Sequence, residues 1–280
     1  MKRFKLGLQL FTVREAMKND FYGTLKAIKD MGYEYVEPAS FFGKTAEEFR
    51  AALDEIGLKC VSVHQAITAY EENAQEKIDY LKALGIKYAV FPWYHGSRVT
   101  NPDEWHLVFS DLNYYGKLFY DNGLVLGYHN HDFEFRKFDG KYAMDAILEN
   151  VKEEYIVPEF DVCWTTYAGA DTPALIRKYS GRVPIVHIKD FYSSKFNAGA
   201  VYDLIDKTGE AKSAKNADEE IVFECRPIGK GVLDLAPILE ACEDAGTEIL
   251  IVEQDNMSLG LSELESVRIS REYLKETFGI

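Results

Sequence analysis

The sequence contains no uninterrupted apolar run near the ~18 residues that a transmembrane helix needs. Its first ten residues, Met1 to Leu10, hold no apolar stretch of signal-peptide length. No cluster of Lys or Arg occurs either. The 32 basic residues face 46 acidic ones, net −14, and a phosphate backbone or an anionic membrane repels that sign. The four cysteines, Cys60, Cys163, Cys225 and Cys242, form no C-x-x-C pair. That excludes a zinc knuckle and a thioredoxin motif and makes a reduced, cytoplasmic setting the expectation. Neither G-x-G-x-x-G nor a Walker sequence is present, so phosphate-cradling nucleotide folds lose their signature. No linker divides the chain, and one domain over residues 1–280 is expected. What remains is an ordinary globular composition, 47% hydrophobic and 28% charged. Aromatic content is 14%, which fills a core and can also wall a sugar pocket.

Short β-rich runs alternate with amphipathic ones. The runs at Lys5–Leu10, Tyr35–Glu37, Lys59–His64, Tyr88–Trp93, Val125–Asn130, Ile156–Asp161, Pro184–Ile188 and Ile249–Glu253 read as eight strands. Between them, Phe21–Met31, Ala46–Ile56, Glu72–Leu84, Pro102–Asn122, Ala143–Asn150, Pro173–Tyr179, Leu233–Ala245 and Leu264–Phe278 carry apolar residues at helical spacing. Thr45 stands where a helix opens, and Gly57 where it closes. Strand-then-helix repeated eight times predicts a parallel sheet closed as a (β/α)8 TIM barrel. An open doubly wound sheet would want a glycine-rich turn after strand one, and Phe11-Thr12-Val13-Arg14-Glu15 is not one. The long connection from Phe191 to Val232 predicts inserted structure, with an extra strand over Glu220–Cys225.

A barrel places its chemistry at the C-terminal ends of its strands. Those ends read Glu37, His64, Trp93, His129-Asn130-His131-Asp132-Phe133-Glu134, Glu159-Phe160-Asp161, His187-Ile188-Lys189-Asp190 and Glu253-Gln254-Asp255. Acids and neutral imidazoles crowded on one rim need a positive centre between them. One divalent ion, Mn²⁺, Mg²⁺, Co²⁺ or Zn²⁺, is the simplest such centre, and the lack of thiolates disfavours structural zinc.

The chain resembles the xylose isomerase-like TIM barrels, the sugar phosphate isomerase/epimerase group. The resemblance covers about residues 4–278. It is carried by Leu6-Gly7-Leu8-Gln9-Leu10, Tyr35-Val36-Glu37, Tyr128-His129-Asn130-His131-Asp132-Phe133-Glu134-Phe135, Phe160-Asp161-Val162-Cys163-Trp164 with Tyr167-Ala168-Gly169-Ala170-Asp171, Val186-His187-Ile188-Lys189-Asp190 and Val252-Glu253-Gln254-Asp255. It implies a metal held by acids from strands five, six and eight and a His from strand seven. The last three map onto Asp161, Glu253 and His187. For strand five, His129 stands where many members have Glu. Glu134 is expected to reach back to the metal, with His129 or His131 as the alternative ligand.

The resemblance further implies proton transfer beside the carbonyl of a ketose or keto-sugar through an enediolate. Glu134 and Glu253 would exchange the proton, and Lys189 would hold the oxyanion or form an ion pair. Glu37, His64, His129 and His131 would bind substrate, Trp93, Trp164 and Phe11 would wall it, and Arg226 or Lys230 would contact it from the long loop. Asp190 would orient its neighbours. The expected function is a metal-dependent sugar isomerase or epimerase, with a carbohydrate as the only partner besides a second copy of the chain. The alternative is a lyase of the same fold, inosose-dehydratase-like or keto-glycoside-cleaving. An apurinic-site endonuclease fits poorly with net −14 and six histidines. A non-catalytic sugar- or metal-binding protein would not need so complete a set of acids and histidines.

Overall fold

The computed structural model describes residues 4–196, 214–216 and 219–280. Eight staves alternate with eight helices. The staves are β1 (Lys5–Gln9), β2 (Tyr35–Glu37), β3 in two pieces (Lys59–Cys60 and Ser62–His64), β4 (Tyr88–Phe91), β5 (Val125–His129), β6 (Ile156–Asp161), β7 (Ile185–Ile188) and β8 (Ile249–Val252). The helices that alternate with them are α1 (Phe21–Met31), α2 (Ala46–Ile56), α3 (Ala74–Leu84), α4 (Trp105–Asp121), α5 (Ala143–Asn150), α6 (Thr172–Lys178), α7 (Leu235–Ala245) and α8 (Glu263–Phe278), and shorter helices lie at Arg14–Asn19, Gly96–Val99 and Val162–Tyr167. All stave pairings are parallel, and β1 lies between β2 and β8. The ring closes within β3: Lys59 and Cys60 pair with β2, and Ser62 to His64 pair with β4. The carbonyl of Val61, at the switch, accepts from the N–H groups of Lys87 and Tyr88.

Local chemistry explains the element ends. Thr45 and Glu48 form a reciprocal capping box at the start of α2, and Gly57 closes it at φ 81°. Ser262 and Glu265 do the same for the start of α8. The helix expected from Pro102 starts later, at Trp105, because the Asn101 side chain caps Asp103 and winds Pro102–Glu104 into a 3-10 turn.

Alternate stave residues fill the barrel. Its lower layers are apolar, with Tyr88, Val90, Ile185, Ile249 and Ile251 packed against Val61, Val125 and Val157. Gly7 and Gly127 share this plug because nothing larger fits. A Cβ on Gly127 would sit 2.6 Å from Val90 Cγ2, and one on Gly7 would sit 2.5 Å from Ile251 Cδ1. Higher up, the inward positions turn polar. The main hydrophobic core lies between the staves and the helices.

The connection after β7 carries an antiparallel pair, Asp190–Ser193 with Phe223–Arg226. A second pair joins Ala214–Asn216 to Glu219–Ile221. The expected strand at Glu220–Cys225 is therefore split between two partners, while 197–213 and 217–218 of that connection fall outside the described residues. Among the described residues no helix is long and apolar enough to cross a membrane.

Candidate active site

Residues two apart on a strand share a face. That rule brings Gln9, Glu37, His64, His129, Glu159, Asp161 and His187 together, with Lys189, Glu253 and Asp255 just past the stave ends; all are buried. They form two tiers. In the deeper tier, Glu37 Oε1 accepts from Gln9 Nε2 at 2.8 Å. It also lies 3.0 Å from His64 Nε2 and 2.8 Å from His187 Nε2. Glu159 Oε2 lies 2.7 Å from His64 Nε2, 3.1 Å from His129 Nδ1 and 3.2 Å from His187 Nε2. The rings of His64 and His187 stack with centroids 4.9 Å apart.

The outer tier uses the opposite edges of the same imidazoles. His187 Nδ1 lies 2.9 Å from Glu253 Oε2, and His129 Nε2 lies 3.7 Å from Asp161 Oδ2. Lys189 Nζ lies 3.1 Å from Asp161 Oδ2 and 2.9 Å from both Glu253 Oε2 and Asp255 Oδ2.

Burial drives every acid here toward its neutral form, and neighbours decide the outcome. For Glu37, burial is outweighed by His64 and His187, which hold it at about 2. For Glu253, Lys189 and His187 likewise overcome burial and keep the carboxylate well below its usual range. Burial and the neighbouring Glu37 carry Glu159 up to about 7. Burial takes Asp161 to about 6 against the pull of Lys189. Burial would lower His187, yet Glu159, Glu37 and Glu253 raise it well above 6.5. His129 is pushed well below 6.5 by burial and by His187 and His64.

The donor set fits a divalent cation. One atom from each of His129, Asp161, His187 and Glu253 lies within 4.8 Å of all the others. Asp161 is pre-oriented for this. Its Oδ1 caps the helix Val162–Tyr167, accepting from the N–H groups of Cys163 at 2.8 Å and Trp164 at 3.2 Å. Its Oδ2 is left facing the cluster without a well-aligned hydrogen bond. Two oxygens and two nitrogens, without sulfur, suit Mn²⁺, Co²⁺ or Zn²⁺ and admit Mg²⁺. A second group, His64, His129, Glu159 and His187, meets the same spacing. The Lys189 ammonium shares the Asp161 and Glu253 oxygens, so it must draw back toward Asp255 for them to face a cation.

The structure brings together Asp161, His187 and Glu253, as the sequence suggests, with Lys189 beside them. It does not bring Glu134 to them. The Glu134 carboxyl takes the N–H of His131 at 2.8 Å and pairs with the Tyr128 hydroxyl at 2.9 Å. Tyr128 points to the layer outside the barrel, so Glu134 braces the loop after β5, and His129 is the strand-five donor at the cluster. Glu37, His64 and His129 belong to the buried network rather than to an open wall. His131 stacks on Phe133 and comes within 5.7 Å of Trp164. Trp164 is sandwiched between Phe223, at 5.2 Å, and the Lys189 ammonium, also at 5.2 Å. Trp93 packs beside His95, and Phe11 lies under the Arg14 guanidinium. Arg226 pairs with Glu224 at 2.6 Å and lies over Tyr192 on the inserted hairpin. Lys230 is exposed. Asp190 ties down the inserted connection, accepting from the N–H groups of Phe191, Gly229, Gly231 and Leu233.

Sequence reasoning listed Glu159 and Asp255 among the strand ends without giving them a role, and gave Gln9 none. The period of two would have found them: Glu159 stands two residues before Asp161, Asp255 two after Glu253, and Gln9 ends β1. A cavity of about 380 Å³, lined by Asp132, Phe135, Arg136, Tyr142, Tyr167 and Gly169, opens between the loops after β5 and β6.

An inosose dehydratase of Clostridium perfringens (strain 13 / Type A) is 25% identical over 280 residues, covering 92% of this chain and 90% of the relative. A sugar phosphate isomerase/epimerase from Parabacteroides distasonis superposes with a TM-score of 0.78 at 20% identity, covering 99% of this chain and 95% of its own. An IOLI protein with a binding zinc atom superposes at 0.68 and 15% identity, covering 97% of each chain. The model of the xylose isomerase-like TIM barrel family matches residues 25–277, and the chain belongs to that family.

Proposed function

We propose that the protein is a divalent-metal-dependent enzyme that moves a proton beside the carbonyl of a keto-sugar or keto-cyclitol and then expels a hydroxyl as water. The cluster of His129, Asp161, His187 and Glu253 around one point carries this reading. These four residues would hold the cation, which supplies Lewis acidity and a template for adjacent substrate oxygens. Glu253 was expected to move the proton, but its carboxylate is held ionised between His187 and Lys189. That suits holding a cation better than abstracting a proton. Asp255 and Lys189, joined at 2.9 Å, are the better proton-handling pair. Burial raises the Asp255 carboxyl despite the opposing pull of Lys189, which makes it a stronger base than an ordinary aspartate. Lys189 keeps its ammonium, so it can hold negative charge on a substrate oxygen and protonate a departing hydroxyl. The Trp164 ring lies against the Lys189 ammonium, with neutral His131 beside that ring.

Elimination is placed first because curated relatives named inosose dehydratase align over nearly the whole chain. Epimerisation by the same proton transfer is the second reading, favoured by the name of the Parabacteroides distasonis structure. A panel of inososes and 3-keto-sugars, incubated in D₂O with Mn²⁺, Co²⁺ or Zn²⁺, tests the shared step. Deuterium should enter the carbon beside the carbonyl; loss of water then identifies the lyase and a new stereoisomer the epimerase. No exchange with any substrate under any metal would remove the proposal.

A further inference from the structure

Two groups of donors meet metal-holding spacing, and they share His129 and His187. Each shared imidazole turns one nitrogen to each group. His187 points Nε2 down to Glu37 and Nδ1 up to Glu253. His129 points Nδ1 down to Glu159 and Nε2 up toward Asp161. One imidazole nitrogen cannot both carry a proton and ligate a metal, so the deeper and outer groups cannot both be served by neutral rings.

We infer that Glu37 and Glu159 are positioning residues: they take the N–H protons of His187 Nε2 and His129 Nδ1, and so fix both rings to present His187 Nδ1 and His129 Nε2 to a divalent cation in the outer group. This rests on the reading that the cluster holds a cation. Three observations select the outer group. Glu37 Oε1 already accepts from Gln9 and lies within 3.0 Å of two imidazole nitrogens. Glu159 Oε2 lies within 3.2 Å of three. Asp161 Oδ2, in the outer group, accepts no well-aligned hydrogen bond, while its Oδ1 is fixed by a helix N-terminus. The ring-facing oxygens Glu37 Oε1 and Glu159 Oε2 are thus engaged by the imidazoles, although the second oxygen of each has no hydrogen-bond partner; in the outer group Asp161 Oδ2 is the oxygen held toward the cluster, and Glu253 Oε2 is shared between His187 Nδ1 and Lys189. Carboxylates behind a ligating histidine set its tautomer and its basicity. His64, between Glu37 and Glu159, spaces the two carboxylates and completes the floor.

The test loads ¹⁵N-histidine-labelled full-length protein with Zn²⁺ and reads each imidazole by long-range ¹H–¹⁵N correlation. His187 should carry its proton on Nε2 and His129 on Nδ1. Zinc affinity is then measured by calorimetry for Glu37→Gln and Glu159→Gln. Each variant should bind zinc about 10- to 100-fold more weakly. In Glu159→Gln the His129 signals should also show the protonated nitrogen redistributed. The opposite tautomers in the wild type, or unchanged affinity in both variants, overturns the inference while leaving the cation in place. Failure of the wild type to bind zinc overturns the reading beneath it, and the inference with it. Because the tautomer measurement uses the wild type, it decides the matter even if a variant fails to fold.

Discussion

Single side chains here are set by what surrounds them, and Glu134 and Lys189 show it in opposite ways. Glu134 is fully buried, and burial pushes its carboxyl from 4.5 to about 8, against the hydrogen bonds from His131 and Tyr128. A folded-state value above the unfolded one means the native protein holds this proton more tightly. The stabilisation is complete below about 4.5 and is lost as the pH rises through about 8. Glutamine mimics the protonated acid and cannot ionise. Relative to Glu134→Gln, the wild type should therefore lose stability steadily across that window, by at most about 5 kcal/mol. Melting curves of both proteins from pH 4 to 9 check this; parallel profiles would show that Glu134 is ionised throughout. Turnover should survive the substitution, since the side chain faces away from the cluster. Lys189 is the reverse case, a buried ammonium kept charged by Asp161, Asp255 and Glu253 despite its burial. It competes with any cation for the Asp161 and Glu253 oxygens. Lys189→Met should bind Mn²⁺ or Zn²⁺ at least about tenfold more tightly, because a nearby positive charge has gone, and should lose turnover. Weaker binding in calorimetry would mean that Lys189 supports the ligands rather than opposes the metal.

Element ends divide structural work from chemical work between atoms of one residue. Asp161 ends β6 and opens the next helix, so Oδ1 serves the backbone and Oδ2 the cluster. Asp161→Asn keeps an acceptor for the cap, whereas Asp161→Ala removes it, and losing an N-cap costs about 0.5–2 kcal/mol. Both variants should lose bound metal, but only the alanine should melt markedly lower. Equal melting of the two would show that the cap contributes nothing. Asp190 does the same for the inserted connection, where one carboxylate gathers four backbone N–H groups. Removing it leaves buried donors without an acceptor, at roughly 1–3 kcal/mol for such a group. Asp190→Ala should therefore lose about 2–4 kcal/mol in urea titration. A change below 0.5 kcal/mol, on the order of a surface substitution, would mean that the loop re-pairs elsewhere.

At the scale of the molecule, the barrel was legible because strand and helix patterns alternate without interruption and caps such as Thr45 and Gly57 mark the ends. That polar residues meet on one rim followed from strand position; the choice of Asp161, His187 and Glu253 among them came from the family resemblance. The choice between His129 and Glu134 did not, because five residues of loop can turn a carboxylate either way, and only the packing of Tyr128 settles its direction. Glu37 and Glu159 were hidden differently: one acid at a strand end carries no sign of what lies across the barrel. Together they leave Glu37, Glu159, Asp161, Glu253 and Asp255 buried with one ammonium, Lys189, among them. Like charges in a low-dielectric interior oppose folding, and the imidazoles of His64 and His187 compensate only while protonated. A cation that binds only the folded barrel relieves that repulsion and adds stability by mass action, about 2.7 kcal/mol at a hundredfold excess over its dissociation constant. For a chain of this size, that should raise the melting temperature by about 5 °C. The shift should appear with Mn²⁺, Co²⁺ or Zn²⁺, vanish on chelation, and be absent in His187→Ala. Identical melting of the wild type with and without every one of these ions would mean that the acids are neutralised by protons and by Lys189 alone, and the barrel mouth would have no place for a metal.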